Sequence, residues 1–171
     1  KAFGKVVQYT EGGNKGSLSN YDPVKWRIAA WTAFANESGI LLWDMSGRKT
    51  QPGGAGGNAN AYIGPETRKA WRALSDFSRD LPLDMRPMEP GYNLHGAKIR
   101  AYGLSNGDVA ALYLHYYEDH GLPYSGHPLF VRLGPGKFRA KWISPSDGSV
   151  LLESEVETES SVLALTVPRF F

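Results

Sequence analysis

The sequence predicts a chain of class α/β plus all-β. Two consecutive βα units with parallel strands, a partial (β/α) barrel, occupy residues 1–82, and a small antiparallel β-sandwich occupies residues 83–171. Three observations carry this prediction. The first half alternates short apolar runs with stretches of helical apolar periodicity, in the order strand, loop, helix, strand, loop, helix. The second half breaks into short runs of strand character within about 75 residues, separated by turn residues. The 171 residues fall short of a closed eight-unit barrel, which needs about 250. The barrel-like part can therefore only be a piece.

The first strand is read over 5–10, where Val6, Val7 and Tyr9 have high strand propensity, and it is expected to end before the loop Glu11-Gly12-Gly13-Asn14-Lys15-Gly16. Asp22 followed by Pro23 signals a helix start, an N-cap before a residue whose fixed φ suits the first helical position. Val24, Ile28, Trp31 and Ala35, with Ala30 and Phe34, recur at three and four residues, and the helix is expected to stop near Ser38 and Gly39. Ile40-Leu41-Leu42-Trp43 is apolar without a break, as a parallel strand buried under helices requires. The stretch 44–61 carries Gly47, Gly53, Gly54, Gly56 and Gly57 and predicts a mobile surface loop. A second helix starts at Gly64-Pro65, with Ala70, Trp71, Leu74, Phe77 and Leu81 on one stripe and Arg68, Lys69, Arg72, Asp76 and Arg79 on the rest.

Pro82, Pro87, Pro90 and Gly91 mark a domain boundary. Strands are predicted beyond it at 97–102, 109–117, 129–133, 138–144, 149–154 and 161–167, with turns at Ser105-Asn106-Gly107-Asp108, Gly134-Pro135-Gly136 and Pro145-Ser146-Asp147-Gly148. Phe138, Ala140 and Trp142 alternate with Arg139 and Lys141, which places the apolar residues inward. Glu153, Glu155, Glu157 and Glu159 read as one solvated face that discourages edge pairing.

Composition excludes several function classes. Lys and Arg number 19 against 17 Asp and Glu, a net charge of +2 with the bases scattered among acids, so nucleic acid is a poor partner. The chain has no Cys, which removes disulfides, thiolate metal sites and cysteine nucleophiles. No apolar run approaches the 18 or so residues of a membrane helix, the longest being 28–34 and 39–43. The chain begins at Lys1 without a basic-then-apolar leader and is expected to be a fragment or a mature piece. His95, His115, His120 and His127, with Glu118 and Asp119 near His120, lack a companion ligand pattern, so no metal and no cofactor are expected. Tyr113, Tyr116, Tyr117 and Tyr124 are expected to pack against the βα units.

The candidate site lies at the strand ends. Glu11 is expected at the C-terminal end of the first strand, followed at once by Gly-rich backbone, and parallel α/β architectures bind ligands beyond those ends. Trp43 occupies the corresponding end of the second strand, and an indole in a cleft is a platform for the apolar face of a sugar ring. Asn14, Asp44 and Arg48, beside them in sequence, are candidate substrate-binding residues.

Val6-Val7-Gln8-Tyr9-Thr10-Glu11-Gly12-Gly13, the helix with Trp26-Arg27-Ile28-Ala29-Ala30-Trp31, and Gly39-Ile40-Leu41-Leu42-Trp43 together resemble strands seven and eight of the cellulase-like (β/α)8-barrel glycoside hydrolases. The segment Gly136-Lys137-Phe138-Arg139-Ala140-Lys141-Trp142-Ile143-Ser144-Pro145-Ser146-Asp147-Gly148 resembles a signature of the β-sandwich appended to many such barrels, departing from it at Ser144 and Asp147. The resemblance implies that Glu11 matches the catalytic nucleophile and Trp43 the sugar platform of a retaining enzyme acting on a poly- or oligosaccharide. It also favours an extracellular or periplasmic location. The acid/base partner of that family comes from strand four, expected upstream of Lys1. Glu37 and Glu66 fall at a helix tail and a helix start, so the chain is expected to hydrolyse nothing alone. The alternative is a non-catalytic carbohydrate- or matrix-binding β-sandwich with a helical N-terminal extension. A piece with two parallel strands exposes unpaired edges, which predicts homo-oligomers through those strands or docking of the βα units onto the β half.

Overall fold

The computed structural model describes residues 7–14, 22–44, 64–88, 98–118 and 120–170, with 7–14 and 42–44 through their backbone alone. Strand β1 (Val7–Asn14), helix α1 (Pro23–Ala35) and strand β2 (Ser38–Asp44) form a βαβ unit whose strands pair in parallel. Helix α2 (Pro65–Arg79) follows, and then β3 (Arg86–Met88), β4 (Ile99–Ser105), β5 (Ala110–Tyr116), β6 (Pro128–Arg132), β7 (Gly136–Ile143), β8 (Val150–Thr158) and β9 (Val162–Thr166). Those seven strands pair antiparallel as a three-stranded sheet β3-β4-β5 and two pairs, β6-β9 and β7-β8. None of these sheets is closed. The class is α/β plus β.

Helix α1 starts as its sequence dictates. The Asp22 carboxylate accepts from the Val24 and Lys25 amides at 3.0 and 3.1 Å, and Pro23 takes the first helical position. Its end differs from the expectation at Gly39. The helix stops at Ala35, the left-handed position is held by Glu37 with φ +50, and Gly39 lies inside β2 opposite Gln8. Pairing of β2 with β1 begins already at Ser38, so the chain must turn before Gly39 is reached. A left-handed conformation costs a residue with a Cβ about 1–2 kcal/mol. The Glu37 carboxylate lies 3.6 Å from Arg86, whose side chain is mostly in water, and such a pair offsets little. Glu37→Gly should raise stability by about 0.5–1 kcal/mol, the relief less the entropy of a freer unfolded chain. That is a rise of about 2 °C in Tm for this length. A lower Tm in calorimetry would contradict this reading of the turn.

Apolar residues fall on every side of α1, and a helix of that kind must be enclosed. Trp26, Ala30, Trp31 and Ala35 are buried, and α1 packs against β2, α2, β4 and β5. Helix α2 is amphipathic. It buries Thr67, Ala70 and Ala73, while Asp76 bonds Arg72 at 2.9 Å and Arg79 at 3.1 Å on its exposed side.

The sheet β3-β4-β5 is buried on both faces. On β5, Ala111 and Tyr113 face the helices, with Leu104 and Tyr102 opposite them on β4. Ala110, Leu112 and Leu114 face the other way, onto a core of Leu129, Val131, Leu133, Leu163 and Val167 from β6, β9 and the segments just beyond them. Strand β3 was not expected, because Pro82, Pro87 and Pro90 read as linker. At the sheet edge Pro87 needs no donor on its open side, and it pairs with Leu104. In β7, Phe138, Ala140 and Trp142 are half-buried and Lys137, Arg139 and Lys141 exposed, as the alternation predicts. The bases meet Glu153, Glu155 and Glu157 across the β7-β8 register, with Lys137 3.9 Å from Glu157 and Arg139 paired to Glu153.

The βα part docks onto the β half through the turn 144–148. The Trp31 indole N–H donates to the Pro145 carbonyl at 3.2 Å, and its ring stacks on Tyr113 at 5.7 Å. Arg27 donates to the Ser146 hydroxyl at 2.5 Å, and Lys69 lies 3.4 Å from Asp147. Gly148 closes the turn at φ +78, and a Cβ there would meet Ala73 of α2 at 3.5 Å. Ser144 and Asp147, the two departures noted in the 136–148 segment, shape this turn. Ser144 accepts from the Ser146 amide at 3.3 Å, and Asp147 accepts from the Ser149 amide and hydroxyl at 3.1 and 2.7 Å. The Ser149 bonds hold the Asp147 carboxyl well below the usual carboxylate range.

Candidate functional site

Strand β1 does not end at Thr10. It continues through Glu11, Gly12 and Gly13 to Asn14, and β2 continues to Asp44. Tyr9 pairs with Ile40 and Gly12 with Leu42, three steps on β1 against two on β2, so β1 carries an extra residue at Thr10 and Glu11. Glu11 therefore stands at an irregularity inside the strand, not in a loop beyond it. A one-residue insertion changes which residues share a face from that point on. The Gly-rich sequence predicts a loop because Gly and Asn are depleted in strands, whereas pairing with β2 supplies partners for Gly12, Gly13 and Asn14.

Gly13 stands opposite Trp43 and Asn14 opposite Asp44. Three of the five candidate residues, Asn14, Trp43 and Asp44, thus occupy the same end of one parallel pair, and Glu11 lies three residues short of that end, inside β1. Arg48 and the Gly-rich segment after it lie outside the described residues, as do His95 and Asp119. Comparison of the chain with protein-family profiles, curated proteins and solved structures gave no significant match.

A second concentration of chemistry lies between α1 and the β4-β5 sheet. Along the helix-facing side of that sheet the register pairs run Leu104 with Ala111, Tyr102 with Tyr113 and Arg100 with His115, so the face turns from apolar to cationic over three steps. At the Tyr113 step, burial pushes the phenol up and keeps it neutral, with nearby Arg27 acting in the opposite direction. At the Arg100 end, the His115 ring lies 5.6 Å from the Tyr113 ring and 6.0 Å from the His120 ring, and its Nδ1 is buried without a hydrogen-bond partner. Burial, and then the charges of His120, Arg100 and Arg27, lower its pKa to about 4. This cluster was missed in the sequence, where His115 and His120 were weighed only as metal ligands. The available signal was the even spacing of Ala111, Tyr113 and His115 on a strand apolar on its other face.

The sign of the pH effect follows from that lowering. A His with a folded pKa of about 4 and an ordinary unfolded value near 6.5 contributes full stability above pH 6.5 and loses it as pH falls toward 4. The urea midpoint should therefore drop between pH 7 and pH 5, above the range in which Asp147 titrates, and His115→Gln should flatten that part of the profile. Parallel profiles for the two proteins would contradict this assignment.

Among the described residues no three His, Asp or Glu side chains converge as a metal site requires, and no helix is long and apolar enough to cross a membrane.

Proposed function

We propose that this chain carries the nucleophile side of a retaining glycoside hydrolase site acting on a poly- or oligosaccharide, with Glu11 as nucleophile and Trp43 as sugar platform. The observation that supports this reading is the parallel register of β1 and β2, which has Asn14, Trp43 and Asp44 at one end, with Glu11 on the same strand as Asn14 three residues before it. In this chemistry the carboxylate attacks the anomeric carbon while a second carboxyl group, about 5–5.5 Å away, protonates the departing oxygen. Glu37 precedes the opposite end of β2 and contacts Arg86, and Glu66 lies in the first turn of α2, where a carboxylate favours the helix dipole. Neither serves as that acid, and on this reading the acid comes from outside the described residues. Asn14, Asp44 and Arg48 would hydrogen-bond ring hydroxyls. An extracellular or periplasmic location goes with such a substrate.

The test is affinity electrophoresis of the full chain in gels containing soluble β-glucan, xylan or mannan. Retardation is expected with at least one, and Trp43→Ala should weaken it about tenfold, the equivalent of about 1.4 kcal/mol. Retention untouched by Trp43→Ala would move the reading to a non-catalytic β-sandwich binding module. No retention by any of the three would count against a carbohydrate partner.

A further inference from the structure

The polar end of the β4-β5 face opens into a groove of about 650 Å³ beside α1, walled by Ile28, Ser38, Arg100, Tyr102, His115 and His120. Its volume is that of a small-molecule site. It reaches β2 at Ser38 and Ile40, the end opposite Trp43 and Asp44.

Three features define what would fit. First, the charge is one-sided. Lys25 and Arg100 border the groove, and the carboxylate at its rim, Asp22, is already engaged by two helix amides. Second, the Arg100 guanidinium lies over the Tyr117 ring at 5.2 Å and pairs with no carboxylate among the described residues. Stacking of this kind holds the planar fork in place, and a held guanidinium suits bidentate capture of a carboxylate. Third, the His115 ring lines the groove, where burial keeps it neutral and able to exchange a hydrogen bond with a ligand hydroxyl. The Tyr102 ring and the Ile28 side chain supply the apolar surface on which a ring can rest.

We propose that this groove binds a hydroxylated ring carboxylate of the uronic-acid type, its carboxylate on Arg100 and a ring hydroxyl on His115. The site is separate from the β1-β2 strand ends and does not rest on the role of Glu11.

The test is calorimetric titration of the full chain with glucuronate, glucose and benzoate. Glucuronate should saturate and bind at least tenfold tighter than either glucose, which lacks the charge, or benzoate, which lacks the hydroxyls. Arg100→Gln should weaken glucuronate at least tenfold, and Arg100→Lys should fall between it and the unaltered chain. Arg100 is exposed, so both variants should keep the circular dichroism of the parent. Glucuronate binding no tighter than glucose or benzoate, or full binding by folded Arg100→Gln, would overturn the proposal.

Discussion

Trp31→Ala should destabilise the protein by about 3–5 kcal/mol, the range for removing a fully buried large aromatic. Trp31 is 2% exposed and stands where the three parts of the molecule meet. Its ring packs on Phe77 of α2 at 5.2 Å and on Tyr113 of β5 at 5.7 Å, and its indole nitrogen reaches the turn 144–148. The substitution removes the apolar area, leaves a cavity between helices and sheet, and leaves the Pro145 carbonyl without this donor. Against a typical total of about 5–15 kcal/mol, that is a large share of the stability. At a urea slope of about 2 kcal/mol/M the midpoint should fall by about 2 M. Trp31→Phe keeps an apolar ring and removes the donor, so it should cost only about 1–2 kcal/mol. A Trp31→Ala loss below about 1 kcal/mol would mean that the helices do not depend on this contact.

The importance of this junction was not legible in the sequence. The 136–148 segment was recognised as a motif of the β half, but nothing local indicates that its turn is the surface on which α1 and α2 rest. That is a tertiary fact, formed between Trp31 and Pro145 over a separation of 114 residues. Elements with strong local determinants were read well. Asp22 with Pro23 starts α1, Gly64 with Pro65 starts α2, and the alternation of Phe138, Ala140 and Trp142 marks the buried side of β7. Where local propensity opposed pairing, pairing won. Gly12 and Gly13 extend β1, Pro87 sits in an edge strand, and Glu37 takes a left-handed turn usually given to Gly. For the candidate site, the sequence points to residues at matching ends of two strands, and the register brings Asn14, Trp43 and Asp44 to one end while Glu11 falls inside β1. The extra residue at Thr10 and Glu11 was invisible, because a register shift belongs to two strands at once. The groove at Arg100 and His115 was hidden for the same reason, since its walls come from α1, β2, β4 and β5.

Glu11 carries the largest functional expectation. Retaining hydrolysis divides into formation and hydrolysis of a glycosyl-enzyme ester, and the acid is needed in the first step only to protonate a poor leaving group. With a leaving group that departs as a stable anion, dinitrophenolate or fluoride, a carboxylate nucleophile suffices. On the proposed role of Glu11, the anomeric carbon would gain a bond to the Glu11 oxygen while the bond to the leaving group breaks and the electron pair leaves with it. A 2-fluoro substituent slows hydrolysis of the ester, so that the adduct accumulates. If Glu11 is that nucleophile and its acid is missing, the chain should be labelled once per molecule by such reagents and should not turn over unactivated glycosides.

The most direct test is therefore mass spectrometry of the full chain after incubation with dinitrophenyl 2-deoxy-2-fluoro glycosides of the gluco, galacto, manno and xylo series. The expected result is one glycosyl adduct per chain from at least one reagent, located on the peptide bearing Glu11 and abolished by Glu11→Gln. An adduct on another carboxylate, or no adduct from any of the four, would contradict the assignment of Glu11 as a glycosidase nucleophile.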